Sequence, residues 1–195
     1  MATISGYNEY RKNLMKDTAD SKAKNLYSVS LTLFDTKVEK LDEVVNIVES
    51  RDLTWENYVP DGMTSLYDAV MQTILNTERL IKANHRKVVC VIMTDGGENS
   101  SKEYTQKDVA LKIKELQEAG NWTFVFLGAN QDSWAVAQAM NFHAANVSNF
   151  NATGDGVNKV FATMSANTRG FAASGQSATS AFFSKKDQDE LENTK

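Results

Sequence analysis

"KVVCVIMTDGGENSS", residues 87–101, is the stretch that decides the fold. Its core, "VVCVIM" (88–93), is apolar at every position, which is the pattern of a parallel strand buried on both faces. The run stops at Thr94, Asp95 and a pair of glycines, so a carboxylate stands at the tip of a buried strand.

The flanking sequence repeats the alternation of strand and helix. "YSVSLTLFDT" (27–36) sets Val29, Leu31 and Leu33 against Ser28, Ser30 and Thr32, a strand with one face more buried than the other. "KVEKL" (37–41) is short and charged, as an edge hairpin partner should be. Residues 42–60 read as a short amphipathic turn of helix around "EVVNIV" followed by loop, and the only proline, Pro60, opens "PDGMTS". A helix is predicted over 65–82, with Ser65 and Asp68 as a capping box and Leu66, Val70, Ile74, Thr77 and Ile81 at helical spacing. "YTQKDVALKIKELQEAG" (104–120) predicts another, capped by Thr105 and Asp108 and stopped at Gly120. "WTFVFLG" (122–128) is a third buried strand. A short helix runs from Asp132 to about Met140, "AANVSN" (144–149) is a weaker strand, and residues 155–171 form a last helix. A helix over about 5–20 opens the chain. From residue 172 the composition turns to Ala, Ser, Gly and Thr, which predicts a flexible tail (172–195) with Phe182 and Phe183 exposed. The order predicts one α/β domain over 1–171, a Rossmann-like, mostly parallel sheet with helices on both faces.

Composition narrows the function. A net charge of −4 gives no reason to expect nucleic acid, whose binding draws on clustered Lys and Arg. No apolar run approaches the roughly 20 residues needed to span a bilayer, and "MATISGYNEYRK" has no apolar stretch of a signal peptide. The single Cys90 excludes an internal disulfide. These features predict a soluble, cytoplasmic protein.

In such sheets ligands bind beyond the carboxyl ends of the strands. Asp35, Asp95, Gly96, Gly97, Asn99, Asn130 and Gln131 follow strands and belong to that edge, while His85 and His143 precede strands and belong to the opposite one. A histidine relay is therefore not expected at the edge, and Cys90, inside an apolar strand, reads as a packed, inert thiol. What remains is oxygen chemistry from Asp95, Thr64, Ser65, Ser100 and Ser101, suited to a hard divalent cation. The competing structural roles are a turn carboxylate for Asp95 and a helix-capping hydroxyl for Thr64.

"DGMTSLYDAV" (61–70) and "VVCVIMTDGGENSS" (88–101) together resemble the von Willebrand factor type A (VWA) domain in its bacterial or phage-like form. The resemblance implies a Rossmann-like sheet and a metal-ion-dependent adhesion site in which three loops hold Mg²⁺. One loop carries D-x-S-x-S after the first strand, a second a threonine in G-x-T-x-L, and a third an aspartate in T-D-G. Gly62-Met63-Thr64-Ser65-Leu66 is similar to the second loop and Thr94-Asp95-Gly96 to the third. The likeness runs from about residue 5 to 171 and implies Thr64 and Asp95 as metal ligands, with Ser65, Gly96, Gly97 and Asn99 on the binding edge. It further implies a protein partner, captured through an acidic side chain, and no catalysis.

The departure from that pattern is specific. No D-x-S-x-S occurs, and no apolar strand precedes the first helix. Met1 stands where the methionine of a D-x-S-G-S-M loop would fall, so the expectation is a start at an internal methionine of a longer reading frame; the alternative is genuine loss of the strand. In the family's strand order the absent strand lies between those at 27–36 and 88–93. With strands ~4.8 Å apart, its absence leaves a slot of roughly twice that width, lined by unpaired N–H and C=O groups. The sheet could close in altered register, a partner chain could donate a strand, or the domain could be marginally stable and prone to aggregate. Without the serine loop, Mg²⁺ binding is expected to be weak or absent. Two other functions compete with the interaction module: an assembly component using strand exchange, and an enzyme of nucleotide or phosphoryl chemistry, which lacks support from any G-x-G-x-x-G or P-loop lysine motif.

Overall fold

The computed structural model describes residues 1–20, 25–81, 87–129 and 133–193. In chain order the helices are α1 (Ala2–Ala19), α2 (Leu66–Leu80), α3 (Gln106–Ala119), α4 (Ser133–Ala139), α5 (Gly154–Ala173) and α6 (Lys185–Glu192). The strands are β1 (Ser28–Phe34), β2 (Val38–Asn46), β3 (Val88–Thr94), β4 (Trp122–Ala129) and β5 (Val147–Phe150). The architecture is Rossmann-like α/β, with helices on both faces of a parallel sheet.

The strand β4 is buried along its whole length because it has a neighbour on each side and helices above and below. It pairs in parallel with β3, from Val88 opposite Trp122 to Thr94 opposite Gly128, and with β5, from Phe126 opposite Val147 to Ala129 opposite Phe150. Period-two alternation sends Trp122, Phe124 and Phe126 to one face, where they meet Leu66, Val70 and Ile74 of α2 and Val109 and Ile113 of α3. Val125, Leu127 and Ala129 face the other way, against Val157, Val160 and Met164 of α5. The α1 helix packs beside α5 through Tyr10, whose ring lies 6.5 Å from that of Phe161 and whose hydroxyl is 3.2 Å from the Thr168 hydroxyl.

The sheet is interrupted. Among the described residues β1 pairs only with β2, antiparallel, and β3 only with β4, so the strands form separate sheets β1–β2 and β3–β4–β5. The expected gap between the strands at 27–36 and 88–93 is present. It also corrects the expectation that 88–93 would be buried throughout: Val91 is 39% exposed, and Val88, Val89 and Cys90 are only half-buried. Among the described residues no strand covers the side of β3 away from β4.

Other local expectations meet mixed outcomes. The Thr105–Asp108 capping box of α3 is formed, and Gly120 ends that helix in the left-handed conformation at φ +80°. Residues 42–46, expected to begin a helical turn, instead continue β2, which bulges at Val44 (φ +52°) where the Val44 N–H donates to Ser30 Oγ at 2.9 Å. "AANVSN" is split between a 3₁₀ turn at Ala144–Asn146 and β5. The expected helix start at Asp132 lies outside the described residues, although α4 begins directly after it.

Phe182 and Phe183, expected to be exposed, are buried. They join Val125, Leu127 and Phe150 in the α5-side core. The fully buried Asn146 fixes their segment: its side chain accepts from the Phe182 N–H at 2.7 Å and donates to the Thr179 carbonyl at 3.0 Å. Ser184 and Asp187 then form a reciprocal cap on α6, and Gln188 of that helix donates to the Val147 carbonyl at 2.8 Å. No described helix is long and apolar enough to cross a membrane.

Candidate functional site

The residues after β1 and β3 converge on the segment that enters α2. The Asp35 carbonyl accepts from the Ser65 N–H at 2.8 Å. The Thr64 N–H donates to Asn99 Oδ1 at 2.8 Å, and the Thr64 carbonyl accepts from the Asn99 N–H at 3.0 Å. Gly96 comes so near Thr64 that a Cβ on it would lie 2.6 Å from Thr64 Oγ1, so only glycine fits without displacement. The two short motifs around Thr64 and Asp95 are therefore in direct contact, at the carboxyl ends of β1 and β3.

Carboxylates hold this arrangement in place. Glu98 accepts from the N–H groups of Ser100 (2.9 Å), Ser101 (2.8 Å) and Tyr67 (3.1 Å), and from the Ser101 hydroxyl (2.7 Å). Asp68, buried one turn into α2, accepts from the N–H groups of Lys102, Glu103 and Tyr104 at 2.8, 3.0 and 2.9 Å. Burial pushes both carboxyls up, but the hydrogen bonds outweigh it and hold Asp68 and Glu98 below the usual carboxylate range. The two side chains staple the 98–104 loop to the first turn of α2. The expected Ser65–Asp68 capping box is replaced by this staple: Ser65 Oγ lies 2.7 Å from Ser100 Oγ and makes no cap bond, while Asp68 reaches out of the helix.

The structure brings Thr64, Ser65, Gly96 and Asn99 into one cluster, with Asp95 and Gly97 exposed at its rim. Nothing lies within 4 Å of the position a Gly97 Cβ would take. Asn130 and Gln131, assigned to the same edge from sequence, lie outside the described residues, as does His85. His143 stands directly before the 3₁₀ turn ahead of β5, at the opposite edge, as expected, and its side chain makes no cap bond. Burial pushes the Cys90 thiol up to about 12, which suits an inert packed side chain.

Burial raises the Tyr58 phenol, a hydrogen bond with Thr3 opposes that, and the Asp95 charge adds to the rise. Glu98 and Tyr58 were not singled out from sequence, and Asp68 was read only as half of a capping box. The available signal was a set of carboxylates two to four residues from hydroxyls and free loop amides.

Six to eight oxygens suit a hard divalent cation. Here the Glu98 carboxylate takes up loop donors, and the Ser65 and Ser100 hydroxyls lie 2.7 Å from each other. No three of His, Cys, Asp and Glu converge among the described residues. No protein-family model matches the chain, and no curated protein matches it.

Proposed function

We propose that this chain is a protein-interaction module of the VWA kind, whose edge at the carboxyl ends of β1 and β3 contacts a protein partner. The observation that carries the reading is the exposure of large apolar side chains on the connection that leads into that edge. Trp55 (64% exposed), Val59 (69%) and Met63 (48%) all lie on the segment between β2 and α2 that runs into Thr64. Trp, Tyr and Met are enriched at the centres of protein interfaces, and several large apolar side chains exposed together mark a surface that a partner covers. The acidic side chains there, Asp61 and Asp95, favour a basic partner group, whereas an acidic partner group would need a divalent cation between the two. The lone thiol of Cys90 suits a reducing, cytoplasmic setting.

Site-directed photo-crosslinking in cells tests this. A crosslinker at position 59 or 63 should yield a discrete protein adduct that is absent from position 111, which is exposed on α3, and that Trp55→Ala weakens. Equal labelling at all three positions would overturn the reading.

A further inference from the structure

The gap in the sheet has the features of a binding site for one kind of ligand. Its walls, β1 and β3, are each seven residues long. They run in the same direction, because the residues that follow them, Asp35 and Gly96, both meet the Thr64–Ser65 segment. The gap is covered on one face by α2, where Thr73 Oγ1 donates to Thr32 Oγ1 at 2.8 Å and Leu66, Val70 and Ile74 pack with Ile92 and Phe34. On the other face Phe161 of α5 packs against the cluster of Tyr7, Leu41 and Leu53 that Leu31 and Leu33 of β1 also join, and against the α5-side core that Val89 and Met93 of β3 join. The helices thus span both sheets, and among the described residues no strand pairs with the edges of Ser28–Phe34 and Val88–Met93 that lie between them. The partial exposure of Val91, midway along β3, marks the opening.

We propose that this gap accepts an extended apolar strand of about seven residues from a partner protein, hydrogen-bonding β1 on one side and β3 on the other. Apolar side chains are required on both faces of the incoming strand, because α2 lies to one side and α1 and α5 to the other. A direction parallel to β3, β4 and β5 brings its carboxyl end out beside Thr64 and Asp95. The hydrogen-bonding complementarity selects a strand over a helix: a β-edge offers alternating donors and acceptors that only extended backbone can match. The inference is independent of the edge surface, since the gap could fill while the rim at Trp55 and Asp95 contacts nothing.

The test uses the full chain and a lysine-flanked Val/Ile heptapeptide as probe, read by residue-resolved amide exchange. The peptide should slow exchange at least about tenfold in both 28–34 and 88–94, and raise the thermal midpoint. A heptapeptide N-methylated at alternate positions, unable to bond both edges, should do neither. Unchanged exchange, or protection in only one of the two segments, would overturn the proposal. So would a peptide-free chain already dimeric and protected in both segments, which would make a second copy the occupant.

Discussion

Gly96 and Thr64 are in contact across two loops, 32 residues apart in sequence, with no room for a Cβ between the glycine and the Thr64 hydroxyl. That contact aligns the ends of β1 and β3, and it makes Gly96→Ala a direct probe of the edge. The variant should lose about 1–2 kcal/mol in urea unfolding, and Thr64→Ala in the same chain should restore part of the loss. An unaffected single variant would show that the loops are not held together as described.

The Asp68 staple should be costly to remove. Its buried carboxylate is the acceptor for three loop N–H groups, so Asp68→Ala should destabilise the domain by about 2–4 kcal/mol. Asp68→Asn should retain part of the stability, because its amide oxygen still accepts. Equilibrium denaturation of the two variants checks the order.

Acid should undo the same staple. Asp68 and Glu98 are held below the usual carboxylate range in the folded chain. Their contribution is therefore complete above the unfolded values, about 4, and is lost as pH falls through the lower folded values. Stability should fall below about pH 4, and more shallowly in Asp68→Asn than in the parent. Identical slopes in the two proteins would contradict the assignment.

Phe183 is 2% exposed in the α5-side core. Phe183→Ala should cost about 3–5 kcal/mol. A change within about 0.5 kcal/mol, the usual range for a surface position, would return 172–195 to the status of a tail.

Calorimetric titration with Mg²⁺ should give weak binding or none, since the sequence has no D-x-S-x-S loop to accompany Thr64 and Asp95. Micromolar affinity would show that the edge completes a site in another way.

Most of the framework was legible in the sequence because its signals are local. The all-apolar run 88–93, the Thr105–Asp108 box and the Gly120 stop each act within a few residues. The interruption of the sheet was also legible, from a strand absent in the order that the VWA likeness supplies. The failures share one cause, long-range partners. Asp68 at the third residue of a helix looks like half of a capping box, yet its acceptors serve loop amides 34 to 36 residues away. The Ala- and Ser-rich run before Phe182 looks unstructured by composition, but distant partners tie it down: the buried Asn146 side chain, 36 residues from Phe182, and the Thr123 hydroxyl of β4, which accepts from the Thr179 N–H at 2.9 Å. At Val44 a β-branched residue adopts a positive φ that its own type disfavours, so a helical reading of "EVVNIV" was the locally cheaper one.

The interrupted sheet underlies the proposed strand-accepting gap, and amide exchange of the unliganded chain tests it most directly. Alternate amides of a strand point to opposite neighbours, so protection in 88–94 should alternate. Those facing β4 should match Phe124–Leu127, and those facing away should exchange at least about 100-fold faster. Uniform protection along 88–94 and 28–34, equal to that of β4, would mean that β1 and β3 are joined and that the gap does not exist.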